Sequence, residues 1–109
     1  MPFHYDLSDS GEAEVDRIIH DLVLKFGEEA SGRFVNGMEA ALEKECILLE
    51  MGRRPLAAEA HRRRRDLYPL TFRGWGLWRV LYEIKDTDED GQFDTVLVIS
   101  VVSATGGRE

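Results

Sequence analysis

Apolar residues recur first at helical spacing and later at alternate positions, and this change of period divides the chain into a helical part and a strand part. Phe3 precedes His4, Tyr5, Asp6 and Leu7, which read as a short first strand. Asp9 offers a helix N-cap, with Glu12 three residues on to complete a capping box. Val15, Ile18, Ile19, Leu22, Val23 and Phe26 then form one stripe, and Gly27 is a helix stop. A second helix is expected to start near Glu28 or Glu29 and to end near Met51 and Gly52. Its apolar face holds Phe34, Val35, Met38, Ala41, Leu42 and Leu49, while Glu39, Glu43, Lys44 and Glu45 are expected in solvent. Two helices joined through a single glycine pack as an antiparallel hairpin.

Residues 53–66 admit two readings: a short helix begun by Pro55 and carried through Ala57, Ala58 and Ala60, or a loop. Residues 67–72 are rich in strand formers, and Pro69 places them at a sheet edge or a strand end. Arg73-Gly74-Trp75-Gly76 reads as a turn. The next strand, residues 77–84, puts Trp78, Val80, Tyr82 and Ile84 on one face and Leu77, Arg79, Leu81 and Glu83 on the other. A polar turn follows over residues 86–92. Residues 96–102 are apolar and largely β-branched, which predicts a central strand covered on both faces. The predicted fold is α+β in the order β-α-α-β-β-β, one domain over residues 1–109 with a flexible tail at 105–109. Its last three strands form an antiparallel meander, and its helices lie on one sheet face. The opposite face is left open, with Arg79 projecting from it.

Composition narrows the class. The hydrophobic share of 43% and charged share of 32% are those of a soluble globular domain. Cys46 is the single cysteine, so no internal disulfide forms and nothing points to secretion. The opening Met1-Pro2 carries no signal-peptide pattern, and the apolar run at residues 96–102 is far too short to cross a bilayer. A cytoplasmic protein without membrane association is the expectation. The net charge of -7 argues against non-specific nucleic-acid binding by the whole surface. Charge is unevenly spread, with acids crowding residues 6–16, 39–50 and 86–94 and bases crowding residues 53–73.

Several residues carry candidate chemistry. Arg62, Arg63, Arg64 and Arg65, preceded by His61, repel one another and will not be buried. They form either a solvated face or a contact for an acidic partner. Arg79 either pairs with Glu83 on the same sheet face or meets a partner. Trp75, between two glycines, is either a core anchor or an interface hot spot. The stretch from Asp86 through Asp88, Asp90 and Gly91 to Asp94 matches the opening of a calcium loop. It lacks the closing bidentate glutamate, since Leu97 stands there, and its flanks are strands, so the plainer reading is an acidic hairpin. His4, His20 and His61 have no metal-ligand spacing, Cys46 reads as a core or flanking residue, and no cofactor motif is present.

The paired segments Leu77-Trp78-Arg79-Val80-Leu81-Tyr82-Glu83-Ile84 and Val96-Leu97-Val98-Ile99-Ser100-Val101-Val102 resemble the C-terminal strands of the ParE/RelE toxins. Gly52-Arg53-Arg54-Pro55 ahead of Leu67-Tyr68-Pro69-Leu70 is similar to that family's passage from helices to sheet, and Arg33-Phe34-Val35 also fits. The resemblance implies the toxin of a type II toxin–antitoxin pair, held inactive by a cognate antitoxin. ParE-like members are associated with inhibition of DNA gyrase, and RelE-like members cleave mRNA on the ribosome. Arg79 falls where the RelE-like pattern has an arginine. The later basic positions fall at Ser103 and Ala104, which neither stabilise a phosphorane-like charge nor protonate a leaving group. Arg108 meets them only with a shifted register, and the sequence stops before the helix in which some RelE-like enzymes carry a tyrosine. These departures imply the ParE-like, non-enzymatic branch. A ribosome-dependent mRNA interferase with Arg79 as the phosphate-stabilising residue is the alternative. A non-toxic family member that only binds a partner, or a calcium-responsive binding module, is the third reading. The partner-binding set implied is Arg62 to Arg65, Arg73, Trp75, Arg79 and Arg108, and an open sheet face also invites a homodimer.

Overall fold

The computed structural model describes residues 3–51, 67–87 and 93–104. The elements are β1 (His4–Leu7), α1 (Asp9–Phe26), α2 (Glu28–Glu50), β2 (Tyr68–Arg73), β3 (Leu77–Lys85) and β4 (Thr95–Ser103). They follow the expected β-α-α-β-β-β order. The strands form one sheet in the order β1-β4-β3-β2, in which β1 runs parallel to β4 and the other pairs are antiparallel. β2 is an edge strand, where the missing N–H of Pro69 is tolerated. The helix readings at residues 53–66, the Arg62 to Arg65 run and the tail at 105–109 lie outside the described residues.

The first helix starts one residue earlier than its sequence signal. Ser8, not Asp9, is the N-cap: its backbone is extended and its Oγ accepts the Gly11 N–H at 3.0 Å. Asp9 is already helical, and its charge there suits the positive end of the helix dipole. Gly27 ends the helix with φ 97°, its N–H shared between the carbonyls of Leu22 and Val23, and α2 begins at the next residue. The left-handed backbone at this single residue turns one helix into the other, and only glycine adopts it without cost.

The core lies between the helix pair and one sheet face. Val15, Ile18 and Leu22 of α1, with Phe34, Met38, Leu42, Cys46 and Leu49 of α2, meet Phe72, Val80, Tyr82, Ile84, Val96, Val98 and Val101 of the sheet. Phe34 is fully buried, with the Trp78 ring edge-on at 4.9 Å and the Phe72 ring at 5.7 Å. Each such side chain contributes about 1.5–3 kcal/mol through burial. The outer part of the predicted α1 stripe stays in solvent: Val23 is exposed, and Phe26 is 56% exposed with its ring against Trp75.

Glu45 departs from its sequence reading. It was expected in solvent among the other charges of α2, yet it is buried and accepts the Tyr82 hydroxyl at 2.5 Å. Helical geometry explains this, because Glu45 lies three residues after Leu42 and four before Leu49, on the buried face. A buried carboxylate is tolerated where hydrogen bonds replace water.

β4 carries a bulge that the alternation of its residues does not reveal. Leu81 faces Ser100 while Tyr82 faces Val98, which leaves Ile99 as the extra residue. The buried series is therefore Val96, Val98 and Val101, shifting phase where strict alternation would continue with Ser100 and Val102. The opening of α1 clamps the bulge. Glu14 Oε1 accepts the Val101 N–H at 2.8 Å and the Ser100 hydroxyl at 2.9 Å, and Ser10 Oγ donates to the Ile99 carbonyl at 3.0 Å. Gly11 rests on the Val98 carbonyl, where a Cβ would overlap the oxygen.

β4 is central, between β1 and β3, but the described residues do not cover it on both faces. On the side away from the helices Leu97 and Ile99 are half-buried and Val102 is 41% exposed. Its run of valines reflects its central place in the sheet.

Candidate functional site

No described element covers the face of the sheet opposite the helices. Along β3 this face presents Leu77, Arg79, Leu81 and Glu83, the set that alternation predicts. Pairing places Thr71 of β2 on one side of Arg79 and Val102 of β4 on the other. The Arg79 side chain is exposed, and with Leu67, Pro69, Thr71 and Leu81 it lines a shallow depression of about 560 Å³.

Of the two readings of Arg79, the pair with Glu83 does not form. Glu83 instead lies 3.5 Å from the ammonium of Lys85. Four residues along a strand span roughly 13 Å, beyond the reach of that pair, whereas Lys85 is the next residue on the same face. Arg79 makes no ion pair among the described residues. Its guanidinium stands in an apolar frame on an exposed surface, the composition found at protein-interface hot spots.

Arg73 shares this face. It sits two residues beyond Thr71 on β2, a diagonal neighbour of Arg79 across the strand pair, at about 7–8 Å between Cα atoms. The structure thus brings two of the predicted partner-binding cations together.

Trp75 is drawn to the other side of the molecule. The turn 74–76 closes with Gly74 N–H donating to the Gly76 carbonyl at 2.9 Å, and Trp75 holds φ 55°. Gly74 packs directly on α2, where a Cβ would come 2.6 Å from the Arg33 carbonyl oxygen, and Gly37 meets the Arg73 carbonyl in the same way. This close approach turns the Trp75 ring onto the helices. It lies 5.7 Å from the Phe26 ring and 5.8 Å from the Arg33 guanidinium, and stays 38% exposed. Trp75 anchors the turn to the helical hairpin and is not part of the Arg79 face.

Ser103 and Ala104 lie beside that face. Ser103 pairs with Trp78, and the Ala104 N–H donates to the Leu77 carbonyl at 2.9 Å. Both positions are thus one or two residues from Val102, the partner of Arg79, and neither supplies a cation or an acid. Arg108 lies outside the described residues.

The acidic hairpin holds an internal network at its base. Asp94 is buried, and its Oδ1 accepts the Thr87 hydroxyl at 2.8 Å, the Thr87 N–H at 3.3 Å and the Thr95 hydroxyl at 2.5 Å. Thr95 Oγ1 in turn stands 3.1 Å from His4 Nε2. Asp94 therefore fastens β3 to β4. Asp88 and Asp90 lie outside the described residues, Asp86 is half-buried, and no cluster of three metal-binding side chains is gathered among the described residues.

Cys46 is buried between α2 and β1, and its thiol is pushed up to about 11, first by burial and then by Glu50, Glu45 and Glu43. It is a neutral core side chain at physiological pH, not a nucleophile. No described helix is long and apolar enough to cross a membrane. Set against known proteins, the chain matches no protein-family model and no curated protein.

Proposed function

We propose that this chain is a ParE-like toxin that acts by binding a protein target and is neutralised by a cognate antitoxin. The observation that carries this reading is Arg79: exposed, without an ion pair among the described residues, framed by Leu77, Leu81, Thr71 and Val102, on a sheet face that no described helix covers. The β-α-α-β-β-β order, with both helices on one sheet face, is compatible with the resemblance and leaves Arg79 accessible. Arg73 beside Arg79 makes the face locally basic on an acidic body, which suits an acidic surface of a target or antitoxin.

An mRNA interferase needs groups that stabilise a pentavalent phosphate and protonate the leaving oxygen. Arg79 meets the first need in part. Ser103 and Ala104, the neighbouring positions, meet neither, which favours binding over catalysis. Induced expression in a bacterial host tests the reading. Growth arrest with intact mRNA, together with inhibition of purified gyrase, supports it. Arrest with mRNA cut at the ribosomal A site supports the nuclease instead, and absence of toxicity supports a member that only binds a partner.

A further inference from the structure

We propose that the channel between β1 and the second half of α2 docks a basic, extended segment of a partner protein, added as a fifth strand beside β1. This surface is separate from the Arg79 face and does not depend on the toxin reading.

β1 lies at the free edge of the sheet opposite β2. Its ladder to β4 uses alternate residues: the His4 N–H donates to the Asp94 carbonyl at 3.1 Å and the Ser8 N–H to the Val98 carbonyl at 2.9 Å. The odd-numbered amides therefore face outward. Phe3 confirms this, for its N–H donates to Glu50 Oε2 of α2 at 2.7 Å. Tyr5 and Leu7 have no such acceptor among the described residues. Two outward backbone groups on a short edge strand, in line with one already capped by a carboxylate, form a template for strand addition.

Beside this edge runs a channel of about 450 Å³ lined by Phe3, His4, Tyr5, Glu43, Cys46, Ile47 and Glu50. Its floor is apolar. Ile47, which lines it, is 54% exposed, so a large apolar side chain stands open to an occupant. Its rim is acidic. Glu43 and Glu50 line it together with His4, and among the described residues no lysine or arginine does. The local field is registered by Tyr5, whose hydroxyl is raised above its usual range by burial and then by Glu39 and Glu43.

An edge strand, an apolar trough and a rim of carboxylates together define the occupant. It is extended, its backbone pairs with Tyr5 and Leu7, alternate apolar side chains enter the trough, and lysine or arginine side chains between them meet Glu43 and Glu50. An acidic extended segment would set its charges against Glu43 and Glu50, and a helical one would leave the Tyr5 and Leu7 amides unpaired.

The test uses the full chain and two labelled seven-residue peptides of alternating charge and valine, one with lysine and one with glutamate, in fluorescence anisotropy and amide NMR. The lysine peptide is expected to bind and the glutamate peptide not to bind, with shifts and slowed exchange at the Tyr5 and Leu7 amides. Glu43→Lys and Ile47→Ser, both at exposed positions, are expected to weaken binding more than tenfold. Glu12→Lys, on the exposed first turn of α1, is expected to change it less than twofold. Equal binding of both peptides, an equal loss from Glu12→Lys, or shifts centred on Arg79 would each overturn the proposal.

Discussion

The Tyr82 hydroxyl donates a 2.5 Å hydrogen bond to Glu45 Oε2 in the interior between β3 and α2. The Tyr82 ring is fully buried and stacks on Tyr68 at 5.4 Å. Tyr82→Phe keeps the ring and its stacking but removes a donor from a buried carboxylate. The expected loss is about 1–3 kcal/mol, measured as a lower urea midpoint at an unchanged slope. Tyr82→Phe in a Glu45→Gln background should cost less, because the buried acceptor is then neutral.

Gly11 and Gly32 are both helical glycines, yet alanine is expected to act on them in opposite directions. At Gly11 a Cβ overlaps the Val98 carbonyl that sets the bulge of β4, so Gly11→Ala should destabilise by about 1–3 kcal/mol. At Gly32 nothing lies within 4 Å of the added atom, and Gly32→Ala should stabilise by about 1 kcal/mol through helix propensity. Thermal unfolding of the two variants checks both signs.

Glu14 links α1 to the bulge through one carboxylate oxygen that serves both Val101 N–H and the Ser100 hydroxyl. Glu14→Ala leaves that backbone N–H without its partner at a partly buried site, at a cost of about 1–3 kcal/mol. Glu14→Gln retains an acceptor and should cost less. Hydrogen exchange at the Val101 amide should accelerate in the alanine variant and change little in the glutamine variant.

These contacts show what the sequence made legible and what it did not. The 3.6 period located both helices, alternation located β3 and assigned its faces, and strand-forming composition located β2 and β4. The bulge at Ile99 escaped because the segment is a nearly continuous apolar run, in which Ser100 is the single polar mark of the phase shift and is small enough to pass for a core residue. Its signal is the set Ser8, Ser10, Gly11 and Glu14, which reads as an ordinary helix start until β4 lies beneath it. Glu45 escaped because a charged residue on a helix is assigned to solvent, although its spacing from Leu42 and Leu49 put it on the buried stripe. The parallel pairing of β1 with β4 joins residues some ninety positions apart and has no local signature. Of the candidate site, the open face and Arg79 were legible from alternation. The absence of an Arg79–Glu83 pair followed from strand rise, and the removal of Trp75 to the helix side depended on the Gly37 and Gly74 contacts.

Cys46 predicts a pH dependence. Its folded pKa is raised to about 11 from an ordinary 9.0. As pH rises through that interval the unfolded chain loses the proton first and so binds fewer protons than the folded one. Stability should therefore fall with rising pH between about 9 and 11, and Cys46→Ala should remove that part of the slope. At pH 8 the native thiol should react with a disulfide reagent far more slowly than the thiol of the urea-unfolded chain.

The role given to the open sheet face rests most directly on Arg79, which has no structural partner among the described residues. Arg79→Ala should leave the melting temperature unchanged, with a stability change within about 0.5 kcal/mol. The decisive measurement is growth of a bacterial host expressing the wild type or Arg79→Ala at equal protein levels. The account predicts arrest with intact mRNA for the wild type and unimpeded growth for Arg79→Ala. Equal arrest by both proteins would contradict it.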